Sequence, residues 1–356
     1  MSSKTLCIFS PAFPSESEPY WLIPVQVFIR AINKTYPDLK LIIFSFHYPE
    51  SIKSYMWNNN LVLPFNGAKK KRVTRVFMWL RIIRSFYKEK KNNNVIGILS
   101  FWCSECTFVA DYCKLFFNIK YYCWIFGQDA KKNNRYVQRI KPKENSLIAL
   151  SDFIKEEFYK NHGIKPVYVI PKGIDITQFD NTIYDKDIDV LAVGSLIELK
   201  RYDIFVEIVE ELKKKVVSLT AIHCGADGAD EKEPTKIRTM IQEKGLADTI
   251  KLLGLIEHKE TLRLMQRAKI LLHPSSYEGF GMVCIEALYA KAHVISFCRP
   301  MNQGIKNWHI VKTKEEMLQK AFEILSIPSI VYESVLPYRD ADTAKAVVQL
   351  FDAGFN

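Results

Sequence analysis

The sequence predicts an α/β protein built from two doubly wound, Rossmann-like domains facing an interdomain cleft. Three observations predict it. The chain has 356 residues, enough for about two domains of roughly 150 residues. Short apolar runs alternate with amphipathic stretches, and the runs lack in/out alternation, as parallel strands covered on both faces do. A stretch of little periodicity, PKGIDITQFDNTIYDKD, falls near the middle at 171–187 and carries Pro171 and Gly173 among acids and amides.

In the first half, TLCIFS is the first strand, VQVFIRAINKTYP a helix and LKLIIFSF a second strand. VIGILSF, YYCWIFG, SLIALS and VYVIP follow as short buried runs. Between the last two lies the helix DFIKEEFYKNHG, with Ser151 as N-cap and Gly163 as its stop. In the second half, IDVLAVG is a strand, RYDIFVEIVEELKKK an amphipathic helix and SLTAIHCG a strand, with a helix near 231–244 after it. TIKLLG and KILLHPS are strands separated by a helix containing TLRLMQRA. A helix near 280–290, the strand HVISF and a helix near 314–325 complete the pattern. The expected division is an N-terminal domain 1–172, a linker 173–187, a C-terminal domain 188–330 and a final segment 331–356.

Hydrophobic residues make up 48% of the chain, which excludes disorder, and no apolar run reaches the roughly 18 residues of a membrane span. The apolar stretch in MSSKTLCIFSPAF is too short for a signal peptide, so the expected location is the cytoplasm. The net charge of +11 is unevenly placed. Residues 1–175 hold 27 basic and 13 acidic residues, and the remainder 23 and 26. A basic first half suits polyanions or the inner face of an anionic membrane. Cys103 and Cys106 form one CxxC, but with Cys113 they sit in an apolar, helix-spaced stretch, which favours packing thiols over zinc.

The chemistry concentrates in HPSSYEGFGMVCIEALYAKAHVI, residues 273–295. A strand ends at His273, a loop with Gly279 and Gly281 follows, and a helix starts near Gly281. Amides of a first helical turn suit a phosphate. Glu278 precedes that turn and Glu286 lies eight residues on, about 12 Å along a helix axis. That reach matches a sugar ring and a ribose on either side of a pyrophosphate. Alone, the pair is as well read as two solvated helix acids; the strand, the glycines and His-Pro-Ser favour a ligand. A second piece, VLAVGSLIELKRYD (190–203), has Gly194, Ser195, then Lys200 and Arg201 at a helix head. Cations are disfavoured there unless they serve a ligand, such as a departing diphosphate.

At these residues the sequence resembles the retaining glycosyltransferases of family 4, of GT-B fold. The likeness covers most of the chain, is strongest over 145–297, and includes VIPKGIDITQF, the VGSL…K segment and SYEGFGMVCIEAL. It implies a nucleotide-diphosphate-sugar donor on the C-terminal domain, an acceptor mainly on the N-terminal domain, retention of configuration and no required metal. It further implies that Glu278 contacts the donor sugar, Glu286 the ribose and Lys200 the diphosphate. Phe280, Gly281 and Met282 would offer amides, and Asp129, in Phe126-Gly127-Gln128-Asp129, would be a cleft acid. The helix at 343–351 would return to the first domain. Four departures stand out: Ser195 where many members have Arg, with Arg201 as its substitute; SPAFPSESEPYW (10–21) in place of a glycine-rich loop; Phe126 where an HG-x-D pattern has histidine; and CRPMNQG in place of a Gly-Gly loop. No acid is clearly placed as a nucleophile, which favours same-face attack. The acid pairs Asp187/Asp189 and Asp340/Asp342 match a DxD metal motif, but their surroundings do not.

Residues 66–94, NGAKKKRVTRVFMWLRIIRSFYKEKKNNN, hold ten basic residues and one acid. As a helix, Val76, Leu80, Ile83 and Tyr87 share a face, with Arg81, Arg84 and Lys88 opposite. Such a helix either docks on an anionic membrane or turns its apolar face into a domain core. Nucleic acid is not expected, since no recognised module accompanies the charge. The function expected is transfer of a hexosyl or N-acetylhexosaminyl group to a glycan or lipid-linked glycan, in polysaccharide, lipopolysaccharide or glycoconjugate synthesis. The rivals are a nucleotide-sugar epimerase of the same fold and a non-catalytic membrane-associated module; an oxidoreductase is weakest, with no GxGxxG after the first strand.

Overall fold

The computed structural model describes residues 3–16, 22–70, 72–216, 218–328 and 330–351. It divides into two compact units, Met1–Gly173 with Tyr338–Asn356, and Ile174–Pro337. Both are sheets of parallel strands with helical crossovers, the α/β class the sequence implied.

The first unit runs β1 (Lys4–Ala12), α1 (Ile23–Thr35), β2 (Lys40–Tyr48), β3 (Tyr55–Trp57), β4 (Asn60–Pro64), α2 (Arg72–Asn92), β5 (Asn94–Phe101), α3 (Glu105–Phe117), β6 (Tyr121–Ile125), α4 (Arg135–Ile140), β7 (Leu147–Ala149), α5 (Asp152–His162) and β8 (Tyr168–Val169). The sheet order is β3-β4-β2-β1-β5-β6-β7-β8, with only β3 antiparallel. Central β1 is buried along Thr5–Ser10 because helices cover both its faces. The caps of α5 follow the sequence: Ser151 Oγ accepts from the Ile154 amide at 3.1 Å, and Gly163 closes the helix at φ 69°. β3 and β4 are additional to the expected strands; Asn58 and Asn59, at φ 43° and 62°, make the turn between them. Of the loop 10–21, residues 17–21 lie outside the described residues. Cys103, Cys106 and Cys113 are buried.

The expected faces of α2 need correction. Met78, Ile82 and Phe86 are fully buried, whereas Val76, Leu80 and Tyr87 are exposed, on the same outer side as Arg81, Arg84 and Lys88. The wheel holds two apolar stripes, and burial takes the one centred on Ile82.

The second unit runs β9 (Ile188–Val193), α6 (Tyr202–Lys213), β10 (Ala221–Cys224), α7 (Lys232–Glu243), β11 (Ile250–Leu252), α8 (His258–Arg267), β12 (Ala268–His273), α9 (Met282–Tyr289), β13 (His293–Ser296), β14 (Trp308–Ile310) and α10 (Lys314–Ser326). Its sheet order is β11-β10-β9-β12-β13-β14. Reversal of the winding at β9 and β12 makes their carboxyl ends the natural ligand position. The core beneath packs Val190, Phe205, Val209, Ile270 and Leu272. Residues 174–187, read from sequence as linker, fall within this unit, where Asp187 binds Arg267 and Asp189 binds Lys269 and the Thr220 amide.

The last helix, α11 (Asp340–Gln349), belongs to the first unit and packs on α1. Thr343 Oγ1 accepts from the Gly173 amide at 2.8 Å and donates to the Pro171 carbonyl at 2.9 Å, and Tyr122 Oη donates to the Leu350 carbonyl.

Candidate functional site

Pairing of β12 with β9, Leu271 opposite Leu191, brings two chain segments some eighty residues apart to one sheet edge. After β9, Gly194 takes φ 143° and the chain descends through Ser195 to a short turn ending at Lys200. After β12, the loop from Pro274 carries Glu278 toward α9. The loops are laced together: the Ser276 amide donates to the Leu199 carbonyl at 3.0 Å.

At their junction Lys200 Nζ donates to Glu278 Oε2 at 2.6 Å. His273 Nε2 lies 3.3 Å from the same oxygen. Burial raises the Glu278 carboxyl, but the hydrogen bond from His273 and the Lys200 charge outweigh it and pull the pKa down to about 2. Burial lowers the His273 pKa, against the opposing effect of the Glu278 carboxylate. At neutral pH the site thus holds an ionised carboxylate in contact with the Lys200 nitrogen.

The carboxylate ties stability to pH. The folded pKa of Glu278 is depressed from 4.5, so its contribution is full above that value and is lost as pH falls toward about 2. Stability worth about 3 kcal/mol is expected to disappear over that window. Urea unfolding of the wild type should therefore weaken more steeply below pH 4.5 than that of Glu278→Gln; parallel curves would contradict the assigned ionisation.

Gly281, at φ 80°, starts α9, and a Cβ there would sit 3.6 Å from Glu278 Cγ and 3.3 Å from Cys284 Sγ. The N-cap residue Gly281 has no side chain to cap α9, and the first amides of a helix have no intrahelical acceptor. Phe280 is buried and Met282 half-buried. The α-helix begins at Met282, which means the Glu278–Glu286 spacing is part loop, not one helical rise. Glu286, on α9, accepts from His258 Nε2 at 3.0 Å, and His258 Nδ1 lies 3.2 Å from Gln178 Oε1. The hydrogen bond to Glu286 raises the His258 pKa against the effect of burial.

Three expected residues stand apart from the Lys200–Glu278 pair. Arg201, at φ 52°, folds back on Asp203, with Nε 3.1 Å from Oδ1. Ser195 precedes the Leu196 amide, which bonds to the Ala226 carbonyl, so its segment leans on the next loop. Asp129 lies in the first unit, where its oxygens accept the amides of Cys103, Phe126 and Gly127 at 2.8, 3.1 and 2.8 Å. That carboxylate staples a loop. Burial raises its pKa and the amides oppose the rise. Conversely, sequence reasoning assigns no role to His273, His258 or His223. His223 Nε2 lies 2.9 Å from the Gly194 carbonyl, and burial lowers its pKa to about 4. Only the position of His273 at a strand end is a signal; the other two are lone histidines until the fold brings their partners.

Residues 174–322 match the family model described as glycosyl transferases group 1. Among curated proteins, a human phosphatidylinositol N-acetylglucosaminyltransferase component is 30% identical over 43% of this chain and 31% of its own length. The aligned region thus spans about a third of that relative. Among solved structures, a Rickettsia africae glycosyltransferase superposes at TM-score 0.71 with 16% identity, over 99% of this chain and 94% of that one. An Anabaena protein solved with UDP and glucose gives TM-score 0.66 at 15% identity, over 99% and 96%. These likenesses establish the GT-B fold.

Proposed function

We propose, for a chain whose second unit carries a group 1 glycosyl transferase domain over residues 174–322, that it moves a sugar with retention of configuration. The donor is a nucleotide-diphosphate sugar and the acceptor a hydroxyl of a glycan or lipid-linked glycan. The reading is carried by one observation: the Lys200 nitrogen, a carboxylate ionised at neutral pH and a helix start with glycine at its N-cap lie on the two loops at the carboxyl edge of a doubly wound sheet. The N-acetylglucosaminyl transfer named for the human relative, and the UDP and glucose held by the Anabaena protein, support it.

In this reading the diphosphate lies on the amides of 280–282, with Lys200 against its oxygens. Glu278 takes hydroxyls of the sugar and Glu286 the ribose, its carboxylate oriented by His258. The bond between the anomeric carbon and the phosphate oxygen breaks, and its electrons leave with the nucleotide diphosphate. The acceptor oxygen bonds to that carbon from the same face and passes its proton to the departing phosphate oxygen. Glu278 is held between Lys200 and His273, so it steadies the sugar and does not attack it. Asp129 sets the shape of its loop on the first unit.

Thermal-shift measurements with UDP, GDP, ADP and CMP test this, followed by sugar derivatives of whichever base binds. A donor at a hundred times its dissociation constant stabilises by about 2.7 kcal/mol, a rise of several degrees. No rise with any nucleotide at millimolar concentration would overturn the reading.

A further inference from the structure

One polar group beside the Lys200–Glu278 pair has no part in the sugar-transfer reading. Tyr202 opens α6, two residues after Lys200, and is 1% exposed. Its ring packs edge-on against His223, with centroids 4.5 Å apart, and against Phe205 at 6.4 Å. The hydroxyl is buried with the ring, yet no donor or acceptor among the described residues meets it. Buried polar groups are almost always hydrogen-bonded, because an unpaired one gives up water and gains nothing for it. For packing alone, phenylalanine would fill the same space with no hydroxyl to satisfy. A donor kept in such a place is one that a ligand can use.

The surroundings say which ligand. A Cβ at Gly194 would stand 2.7 Å from Tyr202 Oη and 3.5 Å from Lys200 Cε, so the hydroxyl and the lysine stem crowd one point of the turn after β9. Glycine at 194 leaves the room that the oxygen occupies. On the other side of the ring His223 is already engaged, with Nε2 2.9 Å from the Gly194 carbonyl. Burial raises the Tyr202 pKa, so the group stays a neutral O–H able to donate at any working pH. Glu278 can only accept, which suits sugar hydroxyls. Lys200 and Tyr202 offer donors side by side, which suits phosphate oxygens.

We propose that Tyr202 is a further ligand contact of this site: its hydroxyl donates a hydrogen bond to an oxygen of the donor's diphosphate when Lys200 turns from Glu278 to the same group. The turn of the lysine stem away from Gly194 opens the hydroxyl to the ligand. The inference rests on the sugar-transfer reading and adds to it a residue whose ring is core and whose oxygen is site.

Tyr202→Phe tests it, because the variant loses the oxygen and keeps the ring. Without ligand the variant should melt no lower than the wild type, since the free protein makes no hydrogen bond through that oxygen. Titration with UDP, GDP or ADP, whichever stabilises the wild type most, should give an affinity about tenfold weaker or more in the variant, the usual worth of a hydrogen bond to a charged group. Competition by the matching nucleoside, which carries no phosphate, should be the same for both proteins. Equal affinity for the diphosphate would overturn the proposal. So would an equal loss for the nucleoside, which would assign the effect to the packing of α6. A variant that melts several degrees lower would overturn it too, by showing the hydroxyl bonded within the free protein. Failure of the wild type to bind any nucleotide would be a different result: it would bring down the sugar-transfer reading, and the role of Tyr202 with it.

Discussion

Lys200→Ala is expected to lower kcat/KM about a hundredfold or more while the second unit stays folded. The ammonium is the nearest cation to Glu278, at 2.6 Å, and the group placed to meet charge on the leaving diphosphate. Loss of one such preorganised donor typically costs about 3–4 kcal/mol of transition-state stabilisation. Lys200 is 19% exposed, and Glu278 keeps His273 when it is removed, so the fold is not left with an isolated buried charge. Lys200→Arg should recover only part of the rate, since a guanidinium cannot sit where an ammonium 2.6 Å from a carboxylate does. Glu278→Gln should fall in the same range through loss of its charge, and near neutral pH its melting temperature should drop by several degrees without loss of the fold, because the ionised carboxylate contributes about 3 kcal/mol there. Steady-state kinetics checks both, with circular dichroism as the control for folding. Near-wild-type rates in either would remove the site assignment.

Gly225→Ala is expected to be the most damaging small substitution in the second unit. Gly225 takes φ 154°, and a Cβ there would stand 2.0 Å from the Gly194 carbonyl oxygen and 2.3 Å from its carbon. The obstacle is backbone, so it cannot be relieved by a rotamer. Either the unit loses about 3 kcal/mol or more, or the β9 loop moves and takes Lys200 with it. Both outcomes lower donor affinity, by about tenfold at least. Gly304→Ala is the control: nothing lies within 4 Å of its Cβ, and its stability should change by less than about 0.5 kcal/mol. Denaturant midpoints and nucleotide affinity measured on both variants decide the matter. Equal behaviour would mean that the close approach of Gly225 to Gly194 plays no part in holding the site.

What could be read from sequence followed from how each element is buried. Strands such as β9 and β12 are apolar on both sides, so IDVLAV and AKILLH stood out as continuous runs. The strands β3 and β14 are three residues long and partly exposed, too short to show a period. Helix α2 was legible as a helix and not as to its faces, because Met78/Ile82/Phe86 and Val76/Leu80/Tyr87 are both apolar stripes and only the neighbouring sheet chooses between them. In the site, Gly194, Lys200, Glu278 and Gly281 were legible because loop glycines and charges beside strand ends are local features. That Lys200 and Glu278 would meet each other and His273 was not, since it depends on β9 lying beside β12. The pairing of Arg201 with Asp203 and the stapling role of Asp129 were hidden for the same reason: a charge names a capacity, and its partner is set by the fold.

The most direct measurement is a crystal structure of this chain soaked with the nucleotide sugar that gives the largest thermal shift. The diphosphate is expected against the amides of 280–282 with Lys200 Nζ within hydrogen-bonding distance of its oxygens, and the sugar hydroxyls on Glu278. Density for the diphosphate elsewhere, with the Lys200–Glu278 pair undisturbed, would contradict the assignment.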